Sequence, residues 1–139
     1  MSFQVKSAIA MTGALAVVYG AYFAIVARWL TVTPADEIVY QPLLIVAIVP
    51  LVVLAVVSHV AIALANPKEA DASDERDRLI ALRGERVGGH VLTVGVFGGL
   101  VLAMAEPPPF YIAHTLPLAW VLAELVEDAT RIVLYQRGT

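Results

Sequence analysis

The sequence predicts an all-α, polytopic membrane protein of four transmembrane helices, and three observations carry that prediction. Of its 139 residues 60% are hydrophobic and 15% charged, where a soluble domain holds about 25% charged residues. Four oily runs, at about 7–29, 42–65, 87–105 and 110–131, match the roughly 20 residues that cross a hydrocarbon core of about 30 Å. Prolines and polar stretches separate these runs, so the chain divides into spans and links and forms a single membrane domain. There is no cysteine, which excludes disulfides, Cys-ligated metals and thiol chemistry.

The first run, Ser7 to Ala27, carries no charge and lies between Lys6 and Arg28. Its length exceeds the about 7–15 residues of a signal-peptide core, and the chain begins at Met1, so a span is expected rather than a cleaved leader. Ala16, Gly20 and Ala24 recur at a spacing that lets two helices approach closely. A polar link with Pro34, Asp36 and Glu37 leads to the second run. Pro50 should remove one of its backbone hydrogen bonds and kink it, and Asn66-Pro67 should end it.

Ser73 is a good N-cap, and Asp74, Glu75 and Asp77 place negative charge in a first helical turn. From there one helix is expected through to about Ala105, with a charged cytoplasmic part at about 73–86 and an apolar part after it. Glu106-Pro107-Pro108-Pro109 stops this helix. The fourth begins at Phe110 and is expected to run to about Tyr135. Eight basic residues (Lys6, Lys68, Arg76, Arg78, Arg83, Arg86, Arg131 and Arg137) fall on the side of the two termini, and only Arg28 on the other. That asymmetry predicts an N-in/C-in orientation, with Trp29, Tyr40, Phe110 and Tyr111 at the outer interface.

Four constellations are candidates for function. Glu124, Glu127, Asp128 and Arg131 share one face of the fourth helix. Glu124 should lie deep enough in hydrocarbon to need pairing, protonation or water; the bland alternative makes these residues the helix's wet end, with its acids near Arg131. Gly84, Gly88, Gly95 and Gly99 form a smooth ridge on the third helix, suited to close packing within the chain or to a GxxxG-type interface between copies. His59 and His90 could face each other and ligate a haem or a metal, but two lone histidines without a spacing motif read first as interhelical hydrogen-bonding groups. His114 lies too far out to join them.

The last constellation is the stretch Ser73 to Gly89. Arg76, Arg78, Arg83 and Arg86 balance Asp74, Glu75, Asp77 and Glu85, so net charge gives no reason to expect binding to anionic lipid or to nucleic acid. Leu79, Ile80 and Leu82 could rest on the lipid surface or dock a partner. Contacts from Arg83 or Arg86 to Glu124, Glu127 or Asp128 are expected to tie this helix to the fourth.

The runs Asp74-Glu75-Arg76-Asp77, Ile80, Arg83-Gly84-Glu85-Arg86 and Gly88, with Glu124-Leu125-Val126 and Tyr135-Gln136-Arg137-Gly138, resemble a family of small four-helix bacterial inner-membrane proteins of unknown function. Some members are encoded beside helix-turn-helix regulators. The resemblance covers the charged face of both later helices and little of the first two. It implies a multi-pass protein of the bacterial inner membrane and a cytoplasmic partner such as a transcription regulator. No nucleophile–base pair or metal-ligand spacing is visible, so no enzyme and no cofactor are expected.

The functional expectation is therefore a non-enzymatic membrane sensor, regulatory or docking module, as a homo-oligomer in the bilayer. It would act through Asp74, Arg76, Asp77, Arg83, Glu85, Arg86, Glu124, Glu127, Asp128 and Arg131. The alternative is a small transporter or a proton or cation channel using Glu124, with Pro50 and Pro117 as flexing points.

Overall fold

The computed structural model describes residues 3–65 and 75–137, with side chains described except at the start of the first helix and at several positions late in the second. Among the described residues there are four helices: α1 (Phe3–Leu30), α2 (Gln41–Ala65), α3 (Glu75–Ala105) and α4 (Pro109–Arg137). Three of them, α1, α3 and α4, contain stretches long and apolar enough to cross a membrane, and Gln41–Leu54 is a shorter apolar stretch of α2. Ser73 and Asp74, expected to begin the third helix, lie outside the described residues.

The helix ends follow local chemistry. The end of α1 unwinds through bonds from Thr31 Oγ1 to the Arg28 carbonyl (2.7 Å) and from the Thr33 amide to the Trp29 carbonyl (2.9 Å). Pro42 and Pro109 stand at helix starts, where a missing N–H costs nothing. Glu75 and Asp77 occupy the first turn of α3, where the helix dipole favours acid. Glu106 closes α3 in the left-handed region (φ 53°), a conformation that glycine adopts at far lower cost. The three prolines after it force an abrupt reversal into α4.

The helices lie in an open row, α2–α1–α4–α3. Among the described residues the backbone of α3 approaches α4 alone, α4 also meets α1, and α1 meets α2. The core sits in the middle of that row, where Leu15, Tyr19, Tyr22 and Val26 of α1 form an inward stripe at helical spacing. Ile38 of the link, Ala47 and Leu51 of α2, and Phe110 and Val121 of α4 pack around it. The outer flanks are apolar and open, as expected of surfaces that face lipid: Val46, Val49 and Val53 on α2, and Val94, Phe97, Val101 and Met104 on α3.

The longest pairing is the antiparallel α3–α4 hairpin. With 31 and 29 residues, its helices measure about 46 and 44 Å. They are about 16 and 14 Å longer than a hydrocarbon core, and because Glu106–Pro108 fixes one end, the surplus of both lies at the other.

Candidate functional site

At the open end of the hairpin, one arginine gathers the acids. Arg131 forms an ion pair with Glu127 one turn back, and reaches Glu85 of α3 at 3.7 Å and Asp128 at 4.0 Å. Asp128 in turn accepts a hydrogen bond from the Thr12 hydroxyl of α1. A single polar cluster thus joins α1, α3 and α4. Counted along the helices, Asp128 is 19 residues from Pro109 and Thr12 is 18 from Leu30, about 28 and 27 Å. Both lie just within one hydrocarbon thickness of the opposite helix ends. The cluster is only partly screened from solvent: the Arg131, Glu127 and Asp128 side chains are 28%, 20% and 14% exposed, so each partner matters more than in a surface pair.

The approach that makes this possible is built from glycine. A Cβ on Gly84 would lie 2.8 Å from Arg131 Cγ and 3.2 Å from the Glu127 carbonyl oxygen. One on Gly88 would come to 3.0 Å of the Ala123 carbonyl oxygen, and one on Gly99 to 2.8 Å of Leu116 Cδ2. At Gly95 the added atom would stand 2.0 Å from Ala119 Cβ, which no local adjustment relieves. The four-glycine ridge is therefore filled by α4 of the same chain. The small residues of α1 differ: a Cβ on Gly20 meets nothing within 4 Å.

The expected contacts from Arg83 or Arg86 do not form. Among the described residues, neither arginine is ion-paired to Glu124, Glu127 or Asp128, and both are exposed. The bridge between the helices runs the other way, from Arg131 of α4 to Glu85 of α3. The reason is rotational. Ile80, Gly84 and Gly88 are buried against α4, and at about 100° per residue Arg86 turns about 160° from that contact line, while Arg83 and Glu85 turn about 100° to opposite sides of it, with Arg131 on the Glu85 side. Asp77 lies on the contact side, with the Tyr135 hydroxyl beside its carboxylate. Arg76 is exposed, Glu124 is half-buried, and Asp74 lies outside the described residues.

A second polar group, which the sequence reading set aside, lies in the core. His114 is buried, and its Nδ1 donates to the Phe110 carbonyl at 2.7 Å. With Nδ1 committed as donor, Nε2 of the neutral ring accepts from the Tyr22 hydroxyl at 2.6 Å. Phe110 and Tyr22 stack on the imidazole with centroids at 4.0 and 5.6 Å, and Tyr40 meets it edge-on at 4.9 Å. Phe110 is 3% exposed, whereas its neighbour Tyr111 is exposed. The group packs α1, the link and α4 together, and its role is structural.

His90 is exposed, with Nδ1 bonded to the Arg86 carbonyl of its own helix; the His59 side chain lies outside the described residues. No protein-family model matches the chain, and neither a curated protein nor a solved structure matches it.

Proposed function

We propose that the chain is a non-enzymatic regulatory or sensor module of a bacterial inner membrane, with four spans and both termini in the cytoplasm. On this reading it docks a cytoplasmic protein on the open end of its α3–α4 hairpin. One observation carries this: Leu79 and Leu82 are each 52% exposed, on the side of α3 opposite the buried Ile80. Exposed leucines within a span are covered by lipid, but these two lie about 39 and 34 Å along the helix from Ala105, beyond a core of about 30 Å: Leu82 at headgroup level and Leu79 past it. Arg76 and Arg78 flank Leu79, giving an apolar contact rimmed by charge, a composition suited to a protein interface. The resemblance to bacterial membrane proteins encoded beside helix-turn-helix regulators makes a transcription regulator the partner class.

The Arg131 cluster supports the sensor half of the reading. It ties the docking end of α3 to both α4 and α1, so a change in packing within the spans reaches the exposed leucines through one ionic contact. The test is affinity purification in a gentle detergent with mass spectrometry of what co-purifies, comparing the native chain with Leu79→Glu. A partner held by the native chain and lost from the variant is expected. Unchanged recovery from the variant, or no partner on the native chain, overturns the docking reading.

A further inference from the structure

We infer that Arg83 and Arg86 form a binding site for the anionic headgroup of a phospholipid, which makes the charge of the surrounding bilayer the signal this module reads. The inference rests on the orientation proposed above and names the ligand class for one part of the same hairpin end.

Its first support is charge sorting. The 73–89 stretch is neutral in sum, which argued against lipid binding, but the packing of α3 separates its signs. Glu85 is turned to Arg131, and Asp77 stands beside Tyr135. Arg76, Arg78, Arg83 and Arg86 are all exposed, with Glu75 the only acid among the exposed residues of 75–86 outside that ion pair. Of the acids of α4, Glu127 and Asp128 are engaged by Arg131 and Thr12, and among the described residues the half-buried Glu124 is ion-paired to neither Arg83 nor Arg86.

Depth is the second support. Arg86 and Arg83 stand 19 and 22 residues from Ala105, about 28 and 33 Å along the helix. They straddle the edge of a hydrocarbon core of about 30 Å, in or beside a headgroup layer roughly 6 Å deep. Arg78 and Arg76, about 40 and 44 Å from Ala105, pass beyond that layer. Spaced three residues apart, Arg83 and Arg86 point to neighbouring positions on the lipid side of α3.

Chemistry is the third. Two guanidinium groups at phosphate depth offer planar, bidentate donors that match a phosphodiester. Their long side chains can settle at the interface while the apolar stems lie along the lipid. Basic residues next to a span on the cytoplasmic side attract anionic lipid, worth about five-fold in affinity per residue. A headgroup bound at Arg83 and Arg86 would neutralise the residues on either side of Gly84 and Glu85, where α3 is held to Arg131.

The experiment reconstitutes the full chain in mixed phosphatidylcholine and phosphatidylglycerol bilayers. Native mass spectrometry then measures which lipids stay bound after release. Phosphatidylglycerol should be enriched on the native chain, and the enrichment should fall roughly five-fold for each arginine removed in Arg83→Gln and Arg86→Gln. The paired lysine variant should keep the part due to charge and lose the part due to bidentate bonding, falling between the native chain and the glutamine variants, and Arg76→Gln with Arg78→Gln should leave the enrichment unchanged.

Equal retention of both lipids by the native chain overturns the inference, as does an equal loss from the Arg76 and Arg78 variants. So does release of a docked protein by the Arg83 and Arg86 variants with no change in lipid ratio, which would assign these arginines to the protein interface. Intact lipid selectivity in Leu79→Glu with partner capture lost keeps the two readings separable. Selective lipid without any partner would overturn the docking reading and sustain this one.

Discussion

Arg131 lies across Gly84: a Cβ on that glycine would stand 2.8 Å from Arg131 Cγ and 3.1 Å from Nε. The arginine takes the space a side chain would fill, and in that position it reaches Glu85 on the neighbouring helix. Its Nε is buried there without a hydrogen-bond partner, a loss offset by the three carboxylates around the rest of the guanidinium.

Replacing that glycine should loosen the hairpin. Gly84→Leu is expected to cost about 1–3 kcal/mol through overpacking and to displace Arg131 from Glu85. Gly89, five residues on, has nothing within 4 Å of where a Cβ would go. There Gly89→Leu should be neutral or stabilise by up to about 1 kcal/mol through helix propensity. Unfolding in mixed detergent micelles checks both, and equal effects at the two sites would refute the packing account.

The Arg131 cluster predicts strong non-additivity. Arg131→Met leaves Glu127 and Asp128 half-buried and without their cation, and should destabilise by about 1–3 kcal/mol, discounted from fully buried pairs because Arg131 is 28% exposed. Glu127→Gln made in that background should recover part of the loss, whereas alone it should destabilise. Arg83→Met, at an exposed position, should stay within about 0.5 kcal/mol. A double-mutant cycle measures the coupling; additive losses at 127 and 131 would show that the pair contributes nothing.

These relationships mark what the sequence could and could not reveal. Helix order was legible because prolines and apolar runs act locally: the proline run after Glu106 separates α3 from α4, although Pro109, read as part of that stop, is the first residue of α4. The glycine ridge was legible because Gly84, Gly88, Gly95 and Gly99 fix a face by spacing alone. Which helix fills that face depends on how the chain folds back: spacing favoured packing within the chain's own bundle without singling out α4, and left a second copy open. The ion-pair expectation failed on the same ground. The charges of 73–89 and 124–131 could be paired in either sense, and only the packed hairpin shows that Arg131 lies on the Glu85 side of Gly84, with Arg83 on the other side and Arg86 turned away. Thr12 and His114 were missed because each is a lone polar residue in an apolar run. Their partners, Asp128 and Tyr22, lie 116 and 92 residues away.

The Tyr22–His114 bond should contribute to stability without touching the charged end. Tyr22→Phe removes the hydroxyl and leaves Nε2 of a buried imidazole unpaired, an expected cost of about 1–3 kcal/mol. Partner capture and lipid selectivity, read at the opposite end of the hairpin, should survive wherever the variant stays folded. A variant as stable as the native chain would show that this bond is not formed in the bilayer.

The orientation can be tested on a background with no native cysteine, so a single introduced thiol reports without interference. Asp36, in the link after α1, and Leu79, near the start of α3, are both exposed, and a charge-bearing or half-buried replacement is not needed at either. With both termini inside, the link after α1 faces outward and the start of α3 inward. In intact cells a membrane-impermeant maleimide should therefore label Asp36→Cys and leave Leu79→Cys unlabelled until the membrane is opened. Arg28, the one basic residue on the outer side, then lies beside the labelled link, and the other eight lie with the protected thiol. The reverse labelling would invert the chain and place Arg83 and Arg86 in the outer leaflet. Labelling of both sites from one side would mean an even number of crossings between them, in place of the single one that α2 makes; only opposite protection of the two thiols agrees with α2 as a single span between them.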